Sequence, residues 1–289
     1  MVEKSHLIRN RIKLTFYSFL KEIYLLFVFF LKTRKGTSFT FFFNLRSAIL
    51  KKGVKVKYKK GIYKIYDKNF PKIVKTSNNE STLFSFYKNG FYRRAVELER
   101  CYQLDKIKFK NKDIIIDCGA NHGDLKLWFD LNNIEISYVG FEPDPREFEN
   151  LKRNIFPSEV HNLGLWNEDS ENVFYISRFN ADSSFFEPIS YEKKIIVPSK
   201  RLSSFINEPV RLLKLEAEGA EPEIIYGIGE KINLIEYITA DVGFERGLKE
   251  ESTLAPVTNH LLENNFEVVG VGMGRLSLLF RNKIFRKLI

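Results

Sequence analysis

The stretch Ile116-Asp117-Cys118-Gly119-Ala120-Asn121-His122-Gly123-Asp124 decides the fold. Ile114 and Ile115 precede it, so an unbroken apolar run ends on an acid, the pattern of a strand buried on both faces. Two glycines four positions apart let the backbone pass close to a ligand, and the helix that follows offers unpaired amides. The spacing is not that of a nicotinamide site: G-x-G-x-x-G is absent, and Asp117 stands before the first glycine, where it would repel a pyrophosphate. An acid there suits a ligand with a cationic amine. A second strand ends Phe141-Glu142-Pro143-Asp144-Pro145, placing an acid about twenty residues past the glycines, where a carboxylate accepts both hydroxyls of a ribose. An amine at one end and a ribose at the other describe S-adenosylmethionine; the plainer alternative is a glycine turn with two solvated acids.

Outward from this stretch, strand and helix patterns alternate. Helices are predicted over 122–131, 146–154 and 253–265 and from about 221, with strands over 136–141, near 160–165, and over 211–215 and 235–240. A closing pair follows at 266–272 and 276–281. The alternation predicts an α/β fold, a Rossmann-like, doubly wound and mainly parallel sheet with helices on both faces. Upstream, Val54-Lys55-Val56-Lys57-Tyr58 and Ile62 to Tyr66 alternate around Lys59-Lys60-Gly61, a β-hairpin with a lysine-rich face, and 80–103 reads as helix broken near Asn89-Gly90. The expected organisation is an N-terminal helical segment (1–50), a hairpin and helical lead-in (51–110), and a ligand-binding domain (111–289).

The charge is unevenly distributed. Residues 1–75 carry nineteen basic and three acidic side chains, a net +16, and the rest of the 289-residue chain carries −6. Placed on a helix, residues 9–35 put Ile12, Phe16, Ile23, Leu26 and Phe30 on one stripe and Arg9, Lys13, Lys21 and Lys32 opposite. This suits peripheral contact with an anionic membrane, and equally a helix packed on the domain or on a second copy in a homo-oligomer. The uncharged run from Ile23 to Leu31 is far short of the roughly twenty residues a span needs, and no small-residue cleavage site marks an export signal. The acidic remainder and sparse aromatic interleaving argue against nucleic acid as a partner. Cys101 and Cys118 cannot build a disulfide framework, so a reduced cytoplasmic setting, peripheral on the inner membrane face if the helix binds lipid, is expected. Four scattered histidines give no metal-ligand spacing, so no metal site is expected.

The opening stretch, the run Gly140 to Pro145, Leu151-Lys152-Arg153-Asn154-Ile155, and Leu213-Lys214-Leu215-Glu216-Ala217-Glu218-Gly219-Ala220-Glu221 together resemble the FkbM family of S-adenosylmethionine-dependent methyltransferases. Asp241-Val242-Gly243-Phe244-Glu245-Arg246-Gly247 continues the likeness, which covers roughly 112–280. It implies a class I methyltransferase fold and O-methylation of sugars in surface glycans or of polyketide-like and other small hydroxylated substrates. One departure is Glu216, where the family's commoner Lys-Ile-Asp-Val-Glu-Gly has aspartate; the charge is kept and its reach lengthened by a methylene.

Under this reading Asp117, Gly119, Ala120, Asn121, His122, Gly123, Asp124, Glu142, Pro143, Asp144 and Leu165 hold the cofactor. Trp166 is placed to stack on the adenine or to fill the core. Methyl transfer to an alcohol needs alignment and a base for the departing proton. Glu216, Glu218, Lys214 and Asp241 are the catalytic candidates, with Glu218 or Glu216 as the base. Glu221, Glu245 and Arg246 are the candidates facing the acceptor. Plainer roles compete: Glu221 as a helix-start acid, and Arg246 as a structural partner of a carboxylate rather than a binder of an anionic acceptor. Three functions remain open, an O-methyltransferase of a surface or lipid-linked saccharide at the membrane face, one of a soluble small molecule, and a non-catalytic adaptor of the same fold.

Overall fold

The computed structural model describes residues 25–31, 33–177, 182–272 and 274–285. Residues 25–31 are helical and lead to α1 (Gly36–Ile49). Then come strands β1 (Val54–Lys59), β2 (Ile62–Asp67) and β3 (Val74–Ser77), and helices α2 (Glu80–Tyr87) and α3 (Phe91–Tyr102). The predicted hairpin is present, and Lys60 and Gly61 both take positive φ, which the twist of a two-residue hairpin turn requires. Alternation puts Val56, Tyr63 and Ile65 inside and Lys55, Lys57, Lys59 and Lys64 in solvent. The β1 edge is closed by a side chain. Asn44 of α1 donates to the Val56 carbonyl at 2.9 Å and accepts from its amide at 2.8 Å. Phe39 and Phe43 of α1 share one core with the hairpin and with Phe84 and Phe91, so the expected boundary at residue 50 falls between elements that pack together.

The main sheet contains β4 (Ile114–Cys118), β5 (Ser137–Phe141), β6 (Glu159–His161), β10 (Val210–Leu215), β11 (Ile235–Asp241), β12 (Phe266–Val271) and β13 (Ser277–Asn282). Its order is β12-β13-β11-β10-β4-β5-β6, parallel throughout except for β13, which runs antiparallel to both neighbours. Helices α4 (Asp124–Leu131), α5 (Pro145–Ile155), α6 (Glu221–Tyr226) and α7 (Leu254–Glu263) connect the strands. The chain turns outward in both directions from β4 and β10, so the crevice beyond the carboxyl ends of these strands is the topological switch point.

The strand predicted near 160–165 is two strands in different sheets: β6 edges the main one, whereas β7 (Gly164–Trp166) pairs with β9 (Lys193–Arg201). β9 also pairs with β8 (Ser170–Ile176), and this three-stranded insertion was not anticipated. Of the predicted 9–35 helix, only 25–31 and 33–35 lie within the described residues. No described helix is long and apolar enough to cross a membrane.

Replacing Asn44 with alanine removes both bonds to the β1 edge, so Asn44→Ala should lower stability by about 1–3 kcal/mol. An unchanged urea midpoint would show that the edge needs no such closure.

Candidate functional site

Beyond β4 and β10 lies a cavity of about 250 Å3. Gly119, Asn121, Glu142, Pro143, Asp144, Leu165, Glu216 and Glu218 line it, which brings eight of the predicted residues to one place. A smaller cavity of about 30 Å3 adjoins the glycine turn and is lined by Asp117, Ala120, His122, Asp124 and Lys214 among others.

The turn is sterically determined. Gly119 has φ of 70°, and a Cβ there would lie 1.8 Å from the Glu216 carbonyl oxygen, so β4 and β10 approach as closely as they do only with glycine. Gly123 also has positive φ, and its Cβ would collide with Ile155 at 2.4 Å. Asn121 donates its amide to Glu142 Oε2 at 2.9 Å, while its Oδ1 is buried without a hydrogen-bond partner beside the cavity. Glu142 Oε1 accepts from the Asp144 amide at 2.9 Å. Burial pushes the Glu142 carboxyl up to about 8, against the two amides that favour its ionised form. Asp144 caps α5 through the Arg146 amide and pairs with the Arg146 guanidinium at 3.0 Å.

Several predicted residues occupy other positions. Asp117 is buried, accepts from the Tyr138 hydroxyl at 2.5 Å and pairs with Lys214 at 3.1 Å. It therefore meets an internal ammonium. His122 is buried against Glu147 at 2.7 Å. Asp124 joins Lys75 at 3.1 Å, Arg94 at 2.8 Å and the Tyr87 hydroxyl at 2.5 Å. Burial alone would raise its carboxyl; the two cations hold it far below the usual range. Asp124 thus ties the lead-in to the main sheet. Glu221 accepts from the Ala217 amide at 2.7 Å in the turn before α6, as its helix-start reading has it. Arg246 grips Glu223 at 2.7 and 2.8 Å, donates to the Gly219 carbonyl at 2.6 Å and lies over Phe186, so its guanidinium is fully engaged away from the cavity lining.

The strand-end acids form a graded set. Lys214 Nζ lies 3.1 Å from Asp117, 3.3 Å from Glu216, and donates to the Cys118 and Gly119 carbonyls at 3.1 and 2.7 Å. Glu216 also accepts from the Tyr102 hydroxyl and pairs with Arg275. Burial would raise Glu216, but Lys214 and Arg275 hold it down at about 2. Glu218 has the opposite environment: its burial, with Glu245, Glu216 and Asp182 nearby, raises its carboxyl well above the ordinary range. Glu245 is pushed up to about 7 by burial and by Asp241. Asp241 accepts from the Gly243 amide at 3.0 Å and faces Arg275 at 3.4 Å. Glu218 also has φ of 49°, and its carbonyl accepts from the Ser184 hydroxyl at 2.7 Å. Among the described residues no group of three or more His, Cys, Asp or Glu side chains is arranged to hold a metal ion.

Sequence reasoning missed a large part of the lining. Phe86, Arg94, Leu98 and Tyr102 come from the lead-in helices, Phe174, Asp182 and Phe185 from the insertion around β8, and Arg275 from the β12–β13 turn. The amphipathic spacing Phe91, Ala95, Leu98, Tyr102 was visible, but it marks a buried face without saying that part of that face closes a ligand cavity.

The mainly parallel sheet, with a tight glycine turn at the end of β4 and an acid at the end of β5 beside its switch point, is the architecture of a class I S-adenosylmethionine-dependent methyltransferase. The chain belongs to the family of the methyltransferase FkbM domain, whose match spans residues 117–268. It is 25% identical over 201 residues to Methyltransferase 1 of Beauveria bassiana (strain ARSEF 2860), an alignment covering 57% of this chain and 80% of that protein. It is 22% identical over 203 residues to Methyltransferase sdnD of Sordaria araneosa, covering 56% and 78%. The solved FkbM methyltransferase from Methylobacillus flagellatus KT superposes with a TM-score of 0.46 at 14% identity, over 71% of this chain. This chain spans about half of that one, 54% of its length. S-adenosylmethionine fits the residues present: Glu142 is available for the ribose and the unpartnered Asn121 Oδ1 as an acceptor, both in the cavity lining.

A Glu142 that accepts ribose hydroxyls must do so ionised, whereas burial protonates it below about 8 in the free protein. Binding therefore releases a proton at lower pH. S-adenosylhomocysteine affinity measured by calorimetry should fall as pH drops below 8, and Glu142→Gln should flatten that dependence. A pH-independent affinity for the unmodified protein would remove Glu142 from the ribose site.

Proposed function

We propose that the protein is an O-methyltransferase of a neutral hydroxylated acceptor, a sugar hydroxyl first among them, with Glu218 as the base. The observation that carries this reading is the contrast between Glu216 and Glu218, two carboxylates at one strand end. Glu216 is held at about 2 and is too weak a base to take a hydroxyl proton, while Glu218 is raised by burial and neighbouring acids. When bound, S-adenosylmethionine supplies a methyl carbon whose bond to the sulfonium breaks as the acceptor oxygen bonds to it, leaving the neutral thioether S-adenosylhomocysteine. Glu218 accepts the hydroxyl proton on its carboxylate. Arg275 and Lys214 keep Glu216 ionised, so the proton is not lost to it. Asp182, Glu216 and Glu218 line the cavity with Arg275 as the facing cation, and Glu245 acts on Glu218 from nearby, a field that disfavours an anionic acceptor.

Because the base works only when ionised and its carboxyl is raised, methyl transfer should increase with pH above the ordinary carboxylate range. Glu218→Gln should lower the rate by roughly 10²–10⁴ and abolish that rise. The check is labelled-methyl transfer to a panel of neutral, acidic and amino hexosides and polyketide alcohols. Unchanged transfer by Glu218→Gln, or transfer confined to acidic sugars, would defeat the assignment.

We further propose that the acceptor is met at an anionic lipid surface, as for a lipid-linked saccharide. Leu26, Phe29, Phe41 and Ile49 are exposed by 68, 71, 64 and 68%. Phe27 and Phe30 pack on Phe42, so the helical segment 25–31 and α1 carry these side chains together. The exposed lysines of the hairpin adjoin them in the chain, which is the complement of acyl boundary and head-group charge. Phe39 and Phe43 of α1 belong to the core, so the test uses point substitutions. Flotation with phosphatidylcholine–phosphatidylserine vesicles should capture the full chain and fail for Leu26→Asn combined with Phe29→Ser and Phe41→Ser. Equal partitioning of both, or a stable dimer through this face with no vesicle binding, would refute membrane contact and favour a soluble small-molecule acceptor.

A further inference from the structure

One cation beside the glycine turn comes from outside the family match and is not used up by the turn's own carbonyls, as Lys214 and Lys75 are. Arg94 lies on α3, ahead of residue 117 where that match begins. It lines the main cavity and also the small one beside Asp117, Gly119 and Asn121. Its Nε donates to Asp124 Oδ2 at 2.8 Å, and its guanidinium lies 3.9 Å over the Phe86 ring, which together fix its plane. Neither Nη group has a hydrogen-bond partner among the described residues. Asp124 is shared with Lys75 at 3.1 Å, so Arg94 does not need both of its faces to neutralise that carboxylate. The other cation lining the cavity, Arg275, is engaged by Glu216 and Asp241.

The two sides of the cavity differ in character. Phe141, Leu163, Leu165 and Phe174 supply an apolar side that suits a flat base, with Glu142 next to it for the ribose. Across the glycine turn stand Arg94, Tyr102 and Glu216, the polar side left for an amino-acid group. Paired N–H donors in a fixed plane match a carboxylate in geometry and charge.

We propose that Arg94 binds the α-carboxylate of the donor's amino-acid portion through its free Nη groups, with Asp124 and Phe86 orienting it. The lead-in helix is then part of the donor site. This rests on the reading of the protein as an S-adenosylmethionine-dependent methyltransferase, and the experiment separates the two.

Calorimetry on the full chain compares S-adenosylhomocysteine with 5′-methylthioadenosine, which keeps the nucleoside and sulfur but lacks the amino-acid portion. Arg94→Met should weaken S-adenosylhomocysteine binding roughly tenfold to a hundredfold and leave 5′-methylthioadenosine within about twofold, and Arg94→Lys should recover part of the loss. Equal losses for both ligands would mark Arg94 as purely structural, and an unchanged S-adenosylhomocysteine affinity would exclude the contact; either overturns the proposal. A measurement that needs no variant uses the α-carboxamide of S-adenosylhomocysteine. It should bind the unmodified protein about tenfold more weakly than the carboxylate, and equal affinity overturns the proposal. If the unmodified protein binds none of the three ligands, the methyltransferase reading itself fails and this proposal falls with it.

Discussion

The Lys214 ammonium is the interaction on which the site depends. It is buried at the end of β10 and surrounded by Asp117, Glu216 and the carbonyls of Cys118 and Gly119. Burial by itself would favour loss of its proton, yet the two carboxylates keep it charged well above the usual range. An ammonium has three donors, and here they face four acceptors drawn from two neighbouring strands. It sits where the paired strands β4 and β10 end so close together that no side chain fits at position 119. Removing the lysine would leave two acids buried with one fewer counter-charge, the costly half of a broken buried pair.

The same ammonium sorts the acids of the site. Glu216 lies within its reach and within that of Arg275, and stays ionised; Glu218, two residues on, faces carboxylates and is raised. Two chemically identical groups thereby acquire opposite properties from their surroundings, one held ionised and the other, the proposed base, raised. Positive φ at Glu218 and Gly219 turns the chain sharply after Glu216, which lets the two side chains meet different environments despite their separation by one residue. The glutamate at 216 in place of the family's commoner aspartate gains a methylene of reach, and its carboxylate contacts Tyr102, Lys214 and Arg275 together.

What was legible in the sequence is what short-range chemistry dictates. The apolar strand β4, the two glycines, Glu142 at the end of β5 and the strand-end acids of β10 each announce themselves within a few residues, because backbone sterics and strand burial act locally. Residues 166–210 carried no legible pattern. β7 is only three residues long, and β9 gains its meaning by pairing with β8 across a long loop. Arg275 and Tyr102 escaped for a related reason: each reaches Glu216 from a distant part of the chain, and nothing near either residue signals a carboxylate partner. Asp117 misled in the opposite sense. An acid before a glycine turn suits a ligand amine, but a lysine on the adjacent strand sits at the same level and supplies that amine from within.

The lead-in is tied to the glycine turn through Asp124. In the sheet alone, Asp124 would be a helix-opening acid at the mouth of the crevice; with α2, α3 and β3 in place it becomes the centre of a buried group containing Lys75, Tyr87 and Arg94. Cations from two separate elements converge on it, so the position of α3 is tied to the glycine turn by charge as well as by the apolar contacts of Leu98 and Tyr102 with the main core. A helix held this way cannot shift without breaking a buried ion pair, which fixes the part of the cavity lining that it supplies through Arg94, Leu98, Cys101 and Tyr102. The segment that precedes the family match therefore supplies a wall of the cavity that the parallel sheet by itself does not complete, and holds that wall in place through charge.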